Sequence, residues 1–404
     1  MQKIYLPPEV CYVINKLNEA GYEAYAVGGC VRDHLMGKTP GDYDVTTSAR
    51  PDEMLTVFAD DRVIETGLKH GTLTVLKNGM PIETTTYRID GSYADGRHPD
   101  KVTFTPELSL DLCRRDFTVN AMAYSEKKGI IDLFGGEDDL KNGIIRCVGS
   151  PDERFHEDGL RILRAMRFAS VLDFELESEC ASSVSRLREL LSKISRERIY
   201  TETTKLLLGR GAGRILSAFS AVVSFFLSEL DCEMVERAAE KIDKCPKNYE
   251  MRYAVLFSEL GKNAARSSIN SLKPSNVERN TVLMYHEYKS DTAYLNGKYE
   301  IRKLISKTSD DFAISLPDMH YACGIISAEE RERGINEISG VIERDEARKL
   351  SDLAIDGKVL MTLGYAGQSI GRELNSLLDC VMCGDVENTV ETLTEKAKKD
   401  VQSV

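Results

Sequence analysis

Two aspartates separated by one residue, Asp42 and Asp44, constrain this chain more than any other stretch of its sequence. Tyr43 between them and the Val-Thr-Thr run at 45–47 favour a β-strand. Because side chains alternate along a strand, a strand through Tyr43 would direct both carboxylates to the same face of a sheet. An Asp-x-Asp in a surface loop is the alternative, and Gly41 would suit such a loop.

Two neighbouring carboxylates on one face repel each other unless a cation lies between them. A pair of divalent metal ions about 4 Å apart would satisfy both groups, and such a pair is the usual clamp for in-line displacement at phosphorus. The spacing of the two aspartates therefore indicates chemistry at a phosphate group.

A glycine pair upstream of the aspartates supports this interpretation. Gly28 and Gly29 follow the apolar segment 24–27 and precede the run 30–36, a pattern that indicates a strand, a turn and the start of a helix. Backbone N–H groups at such a turn can bind phosphate, and Arg32 would add a bidentate donor. An ordinary tight turn with a solvated Arg32 is the alternative, but the nearby Asp-x-Asp favours the phosphate site.

The run Gly-Gly-Cys-Val-Arg-Asp at 28–33, together with Asp-Tyr-Asp at 42–44, resembles the catalytic head of the class II tRNA nucleotidyltransferases. This group comprises the CCA-adding enzymes and the bacterial poly(A) polymerases, within the DNA polymerase beta superfamily. The resemblance implies an α/β head with a small mixed sheet and helices, followed by all-α domains. Four domains are expected in chain order: the catalytic head (1–150), the neck that recognises the base (151–215), the helical body (216–340) and the tRNA-binding helical tail (341–404).

A third carboxylate is predicted at Glu83. It lies in the second of two strand-like segments, 73–76 and 81–88, which are separated by the hairpin signal Asn78-Gly79. Alternation places Glu83 on a face that should be partly buried, where an acid needs a partner. An exposed glutamate on an edge strand is the alternative, whereas the resemblance implies that Glu83 completes a catalytic triad with the two aspartates.

Residues 114–121, Arg-Arg-Asp-Phe-Thr-Val-Asn-Ala, match a second motif of the family. The resemblance implies that Arg115 pairs with triphosphate oxygens and that Asp116 accepts a hydrogen bond from a ribose hydroxyl. A solvated helix face is the alternative for the two adjacent arginines. Residues 195–199 resemble a further motif, which helps to shape the neck.

A helix is predicted over 157–168, with Asp158, Arg161, Arg164 and Arg167 spaced by three residues. Each step of three turns about −60° around the helix, so Asp158 and Arg161 are neighbours and Arg167 reaches the opposite side. We therefore assign Asp158 and Arg161 to the base edge, where an acceptor beside a donor meets both C and A. Arg164 and Arg167 would hold phosphate, the neighbouring fold or the acceptor stem. An exposed i,i+3 salt bridge is the alternative.

A loop beside the site is predicted at 95–99, Asp-Gly-Arg-His-Pro, in a stretch rich in Gly, Asp and Ser. The resemblance implies that this loop assists the switch from adding C to adding A.

Composition limits the remaining possibilities. The formal net charge of −12 argues against a nucleic-acid partner, but residues 161–214 carry more Lys and Arg than Asp and Glu, so a basic lining remains possible. No apolar run approaches the roughly 20 residues of a membrane span. The ten cysteines are scattered, and the lone pair Cys380 and Cys383 is weak evidence for zinc. A cytoplasmic protein with reduced thiols and no membrane or protein partner is expected.

The expected function is template-independent addition of C, C and A to the 3′ acceptor end of tRNA from CTP and ATP, with release of pyrophosphate. Asp42 and Asp44 would hold two Mg²⁺ ions, and Gly29, Arg32 and Arg115 would bind the triphosphate. A poly(A) polymerase, or an enzyme that adds only CC or only A, is the alternative within the class. A catalytically inactive RNA-binding protein is the alternative from another class, and the loss of a carboxylate would mark it.

Overall fold

The computed structural model of the protein describes residues 4–91, 102–344 and 347–401. The chain forms two compact units, of which one comprises Met1–Asp243 with Ser267–Ser275 and the other Lys244–Arg266 with Asn276–Val404. The predicted division into four domains stays a prediction, and the predicted loop at 95–99 lies outside the described residues.

The strands of the described residues all lie in the first unit. In chain order they are β1 (Ala24–Val27), β2 (Asp44–Thr47), β3 (Arg62–Ile64), β4 (Thr72–Lys77), β5 (Met80–Thr86), β6 (Arg88–Asp90), β7 (Val102–Phe104), β8 (Met122–Ser125), β9 (Gly129–Asp132), β10 (Ile144–Ile145) and β11 (Glu175–Leu176).

The helices of the described residues occupy most of the remaining chain. In chain order they are α1 (Pro8–Glu19), α2 (Gly29–Leu35), α3 (Pro51–Val57), α4 (Leu108–Cys113), α5 (Gly136–Asn142), α6 (Pro151–Glu157), α7 (Leu160–Leu172), α8 (Ser178–Arg186), α9 (Arg196–Leu207), α10 (Ala212–Ala218), α11 (Ser220–Phe226), α12 (Cys232–Ile242), α13 (Tyr249–Leu256), α14 (Lys262–Ser271), α15 (Asn276–Glu287), α16 (Lys298–Lys307), α17 (Asp310–Ala322), α18 (Ala328–Glu343), α19 (Gly357–Thr362), α20 (Gln368–Cys383) and α21 (Val390–Val401).

Within the described part of the chain, a seven-stranded mixed sheet in the order β3-β4-β5-β2-β1-β8-β9 forms the centre of the head. Its core includes the apolar stripe of α1, with Val10, Val13, Ile14 and Leu17 buried at helical spacing. The prediction of an α/β head with a small mixed sheet is confirmed. The predicted change to helices after the head is also confirmed, because the chain beyond residue 150 is mostly helical. The expectation that this part is entirely α-helical is wrong at β11, which pairs with β10 in a two-stranded sheet.

The hairpin between β4 and β5 forms as predicted. Asn78 and Gly79 adopt φ values of 49° and 83°, which the tight turn between two antiparallel strands requires. The predicted strand over 81–88 is wrong at its end, because β5 stops at Thr86 and the chain enters a separate two-stranded sheet at Arg88. The fully buried Tyr87 lies between them, and its N–H donates to the Thr47 carbonyl at 2.7 Å while its carbonyl accepts from Thr105 N–H at 3.0 Å.

The second unit contains a small apolar core in its C-terminal helices. Leu360 of α19, Leu377 of α20 and Leu393 of α21 are fully buried in it. Cys380 and Cys383 lie on α20 as free thiols. No helix of the described residues is both long and apolar enough to cross a bilayer.

Candidate catalytic and nucleotide-binding site

The two predicted aspartates lie at the start of a central strand. β2 begins at Asp44, so the prediction that Tyr43 lies within the strand is wrong, and Asp42 precedes the sheet. Tyr43 is nevertheless buried in the head core. β2 pairs in parallel with β5, and their register places Asp44 opposite Glu83. The sheet therefore brings the predicted third carboxylate beside the aspartates.

The environment of Asp44 concentrates negative charge. Burial, followed by the charges of Asp42 and Glu83, raises the pKa of Asp44 to about 6, although Arg115 opposes the shift. Glu83 itself is exposed, so the expectation of a partly buried face is wrong at this position. Its strand is not an edge strand either, because β5 lies between β4 and β2. A cation beside these carboxylates would relieve their repulsion.

The donor set fits magnesium chemistry rather than an all-protein metal cage. Among the described residues, no group of three or more His, Cys, Asp or Glu side chains is arranged to hold a metal ion. Mg²⁺ ordinarily takes one or two protein carboxylates and completes its octahedron with water and substrate phosphates. Asp42 and Asp44 are the two carboxylates that the sequence predicts as ligands of this kind.

The glycine turn brings two arginines together beside the start of α2. Gly28 adopts φ 79° and ψ −130°, a conformation that L side chains rarely adopt. A Cβ atom at Gly28 would lie 3.1 Å from Arg115 Nη1, and one at Gly29 would lie 3.6 Å from Arg32 Nη2. The guanidinium groups predicted to bind the triphosphate therefore converge on the predicted turn.

We expect Gly28→Ala to weaken nucleotide binding because it would both strain the backbone and displace Arg115. The left-handed conformation alone costs about 1–3 kcal/mol for a residue with a side chain. Gly37→Ala is the matched control, since Gly37 also has a positive φ of 69° but would meet nothing within 4 Å. Urea unfolding should show a loss of stability in both variants, while equilibrium CTP binding should weaken only in Gly28→Ala. Equal CTP affinity in the two variants would contradict the predicted role of Arg115 in binding the triphosphate.

Asp111, which the sequence analysis did not single out, fixes the arginines of the second motif. Its carboxylate is fully buried and accepts hydrogen bonds from Arg114 Nε at 3.0 Å and from Thr46 Oγ1 at 3.1 Å. Its second oxygen lies 3.5 Å from Arg115 Nη2. The buried Nε of Arg115 has no acceptor within the described structure. The Asp111 carboxylate therefore orients one side of the Arg115 guanidinium, and the Nε–H remains a donor for a ligand.

The predicted helix over 157–168 is wrong at its first residues. α6 ends at Glu157 and α7 begins at Leu160, and Asp158 between them has an extended backbone (φ −142°, ψ 106°). The Asp158 carboxylate instead accepts a hydrogen bond from Leu160 N–H at 3.0 Å, as a short acidic side chain does at a helix start. The helical angle between Asp158 and Arg161 therefore does not apply, although the two arginines that follow Arg161 are on α7 as predicted.

The break places Asp158 and Arg161 in the wall of one cavity. This cavity has a volume of about 280 Å³, and its walls include Arg115, Asp116, Asp158, Arg161, Arg164 and Arg198. Asp158 pairs with Arg198 at 2.7 Å rather than with Arg161. Arg161 pairs with Glu157 and donates to the Arg114 carbonyl at 3.0 Å. The structure thus brings the predicted base-reading residues together in a polar, open site.

Arg164 and Arg167 have different surroundings. Arg164 donates to Asp116 from Nε at 2.8 Å and lines the cavity. Arg167 lies 2.6 Å from Glu202 on α9 and stacks 3.8 Å from the Phe168 ring centroid. Phosphate, the neighbouring fold and the acceptor stem were the predicted partners of these arginines, and the contact of Arg167 with α9 is of the second kind.

Comparison with known proteins identifies the family of this chain. Residues 24–146 match the "Poly A polymerase head domain", and residues 173–219 match the "Probable RNA and SrmB- binding site of polymerase A". A CCA-adding enzyme of Ligilactobacillus salivarius is 36% identical over 404 residues, which cover 96% of this chain and 95% of that protein. The chain belongs to the CCA-adding enzyme family. The family predicted from the motifs is confirmed, and with it a tRNA nucleotidyltransferase.

Other members of the CCA-adding enzyme family support this assignment. The enzyme of Lactobacillus delbrueckii subsp. bulgaricus is 50% identical over 209 residues, which cover 52% of each chain. The crystal structure of the Bacillus stearothermophilus CCA-adding enzyme in complex with CTP has a TM-score of 0.82 at 29% identity, and covers 98% of this chain and 99% of that one. The Thermotoga maritima CCA-adding enzyme complexed with tRNA_CCA shares the fold with a TM-score of 0.69 at 21% identity, over 98% of this chain and 96% of that one.

Donors from three residues hold the Asp116 carboxylate in this member of the CCA-adding enzyme family. It accepts from Phe117 N–H at 2.9 Å, from Asn120 Nδ2 at 3.2 Å and from Arg164. Burial alone would raise the pKa of Asp116, but the Arg164 guanidinium lowers it to about 2. Its predicted contact with a ribose hydroxyl stays a prediction.

Sequence reasoning missed Asp111, Asn120 and Arg198 as parts of the site. Asn120 lies in the motif at 114–121, and Arg198 lies in the motif at 195–199 that the sequence analysis assigned to the shape of the neck. Their positions within these motifs could have marked Asn120 and Arg198 as site residues. Their hydrogen-bond partners, however, depend on tertiary packing.

Proposed function

We propose that this protein adds C, C and A to the 3′ end of tRNA from CTP and ATP, without a nucleic-acid template and with release of pyrophosphate. The observation that carries the proposal is the 36% identity to a CCA-adding enzyme over 96% of this chain. The Bacillus stearothermophilus relative, similar over its full length, binds CTP. The carboxylates Asp42, Asp44 and Glu83 are all present, which disfavours an inactive RNA-binding protein.

In this proposal Asp42 and Asp44 are the ligands of Mg²⁺, and Glu83 ligates or orients it. Bound Mg²⁺ would lower the pKa of the attacking 3′ hydroxyl and neutralise charge on the triphosphate and the leaving pyrophosphate. Burial and the neighbouring carboxylates together raise the pKa of Asp44 to about 6, and this environment supports a cation site there.

Arg32 and Arg115 bind the triphosphate beside the turn of Gly28 and Gly29. Their guanidinium groups offer several N–H donors in a fixed plane, which suits bidentate contacts with phosphate oxygens. The unpartnered Nε of Arg115 supports this role, because a buried donor without an acceptor is costly unless a ligand supplies one.

Asp158 and Arg161 read the base in the cavity beside α7. An ionised carboxylate only accepts and a guanidinium only donates, so the pair suits the amino group and ring nitrogen shared by cytosine and adenine. Arg198 pairs with the Asp158 carboxylate at 2.7 Å and so holds it in place in the cavity wall. Arg164 and Asp116 complete the wall on the α7 side.

Incubation with three tRNA substrates, ending before CCA, after C and after CC, tests the proposal with each nucleotide supplied singly. We expect CTP to extend the first two substrates and ATP to extend only the third. Repeated ATP addition to any 3′ end would instead indicate a poly(A) polymerase. Extension that always stops after CC would indicate an enzyme that adds only CC. Extension with ATP but never with CTP would indicate an enzyme that adds only A.

We also propose a cytoplasmic location. All ten cysteines are free thiols, which a reducing compartment would maintain.

A further inference from the structure

A buried asparagine joins the two halves of the site. Asn120 is 7% exposed and ends the 3₁₀ turn Thr118–Asn120 between α4 and β8. Its Oδ1 accepts a hydrogen bond from Arg32 Nη1 at 2.6 Å, and its Nδ2 donates to Asp116 Oδ1 at 3.2 Å. Asp116 in turn accepts from Arg164. An unbroken chain of hydrogen bonds therefore runs from Arg32, beside the glycine turn, to Arg164 in the wall of the cavity beside α7.

The chemistry of the two neighbours fixes the orientation of the Asn120 amide. Arg32 can only donate, whereas the ionised Asp116 can only accept. The reverse orientation would place NH₂ against the guanidinium and C=O against the carboxylate. Only a side chain that presents an acceptor on one side and a donor on the other satisfies both neighbours.

Two acceptors, one charged and one neutral, hold the guanidinium of Arg32. Asp33 accepts from Arg32 Nε at 2.9 Å, so one edge of the guanidinium is tied to a charge and another to the neutral Asn120. A second carboxylate at position 120 would neutralise Arg32 further and weaken its attraction for phosphate. A neutral amide orients Arg32 and preserves more of its charge.

We propose that Asn120 is a positioning residue that couples the triphosphate-binding Arg32 to the Asp116–Arg164 pair in the wall of the nucleotide cavity. The proposal rests on the function proposed above and deepens it. A nucleotide that engages Arg32 correctly would thereby stabilise the geometry of the cavity, and the reverse holds by linkage.

The variant N120D tests this proposal through its pH dependence. When the introduced carboxyl is ionised, it can accept from Arg32 but repels Asp116 at hydrogen-bond distance. When it is protonated, its C=O accepts from Arg32 and its O–H donates to Asp116, which restores the order of the asparagine amide. The charged groups that face it are Arg32 and Asp33 of α2, Asp116, and Arg164 of α7.

We expect kcat/KM of N120D for CTP, divided by that of the wild type at the same pH, to be reduced at least about tenfold at pH 8. This ratio should recover by at least about threefold when the pH is lowered to 6, as the introduced carboxyl gains its proton. A ratio that stays constant with pH would overturn the proposal, because a purely structural role gives no reason for acid rescue.

N120L and Asn15→Asp are the matched controls. N120L has similar volume but neither donor nor acceptor, so its KM for CTP should rise by at least about fivefold at every pH. It keeps the proposal testable even if N120D does not fold, since a wild-type KM in N120L would also overturn it. Asn15 lies exposed on α1, and Asn15→Asp should match the wild type throughout.

Equilibrium CTP binding without tRNA, measured in parallel, separates this proposal from the proposed function. If the wild type binds CTP but adds no nucleotide, the proposed function fails. The dissociation constants of N120D and N120L for CTP then still decide the role of Asn120 by the same ratios.

Discussion

Asp44→Asn is expected to abolish nucleotide addition and, at the same time, to stabilise the metal-free protein. The loss of activity should reach at least about a thousandfold with both CTP and ATP, because metal stabilisation of the transition-state charge is worth several kcal/mol for either nucleotide. Asp42→Ala should show the same loss. The measurement is single-turnover incorporation into tRNA at saturating Mg²⁺.

The gain in stability follows from the direction of the Asp44 pKa shift. Burial and neighbouring carboxylates raise the folded-state pKa of Asp44 to about 6 from its ordinary value of 3.8. The folded protein therefore binds more protons than the unfolded chain between these two values, so the free energy of unfolding falls as pH rises through this window. Above pH 6 the full penalty is present, and Asp44→Asn should recover about 1–3 kcal/mol. Below pH 4 the variant and the wild type should be equally stable.

Thermal unfolding in EDTA at pH 4 and pH 8 measures this effect. Asp60→Asn is the control, since Asp60 is an exposed acid of the head. Adding Mg²⁺ should stabilise the wild type and leave Asp44→Asn unchanged, because a ligand stabilises only the state that binds it. Near wild-type incorporation by Asp44→Asn would refute the metal assignment.

Asp158→Ala is expected to reduce the preference for CTP over UTP, and for ATP over GTP, by roughly 5- to 100-fold. Uracil and guanine present a carbonyl where cytosine and adenine have an amino group, so each would place an acceptor against the Asp158 carboxylate. Removing the carboxylate removes that penalty and also a hydrogen bond to the correct bases. The ratios of kcat/KM for the paired nucleotides measure the change.

The Mg²⁺ dependence of Asp158→Ala should remain that of the wild type, because Asp158 belongs to the cavity and not to the carboxylate cluster. Asp152→Ala is the matched control, since Asp152 is an acid of α6 that likewise pairs with an arginine, Arg186, at 2.6 Å. It is not among the residues that line the cavity. A variant Asp158→Ala with full base preference would place base selection elsewhere.

Much of the carboxylate site could be predicted because its signals are local. The β-favouring residues at 45–47 indicated a strand beside Asp44, and the glycine pair indicated the turn that the two arginines approach. The pairing of Asp44 with Glu83 depends on the order of strands in the sheet, which no local pattern specifies. Family resemblance supplied that link where the residues alone did not.

The segment around Asp158 was harder to predict because local capping competes with helical periodicity there. The apolar and basic pattern of α7 continues back to Glu157, yet Gly159 and the capping tendency of Asp158 interrupt the helix. A Cβ at Gly159 would lie 3.0 Å from the Leu190 carbonyl oxygen, so the close approach depends on glycine. Arg198 reaches Asp158 only because α7 and α9 pack together.

The pairing of β1 with β8 has a consequence for synthesis of the protein on the ribosome. β1 is flanked by β2 and β8, and Ala26 pairs with Tyr124. A nascent chain that has emerged through β5 carries Asp44 and Glu83 but lacks Arg115, the partner strand β8 and Arg198. Long-range strand pairing of this kind forms late, because loop closure must precede it. The growing chain therefore gains the full set of proposed nucleotide-binding residues only after residues through 198 have emerged. On this proposal, nucleotide binding marks the emergence of α9 rather than the first appearance of Asp44.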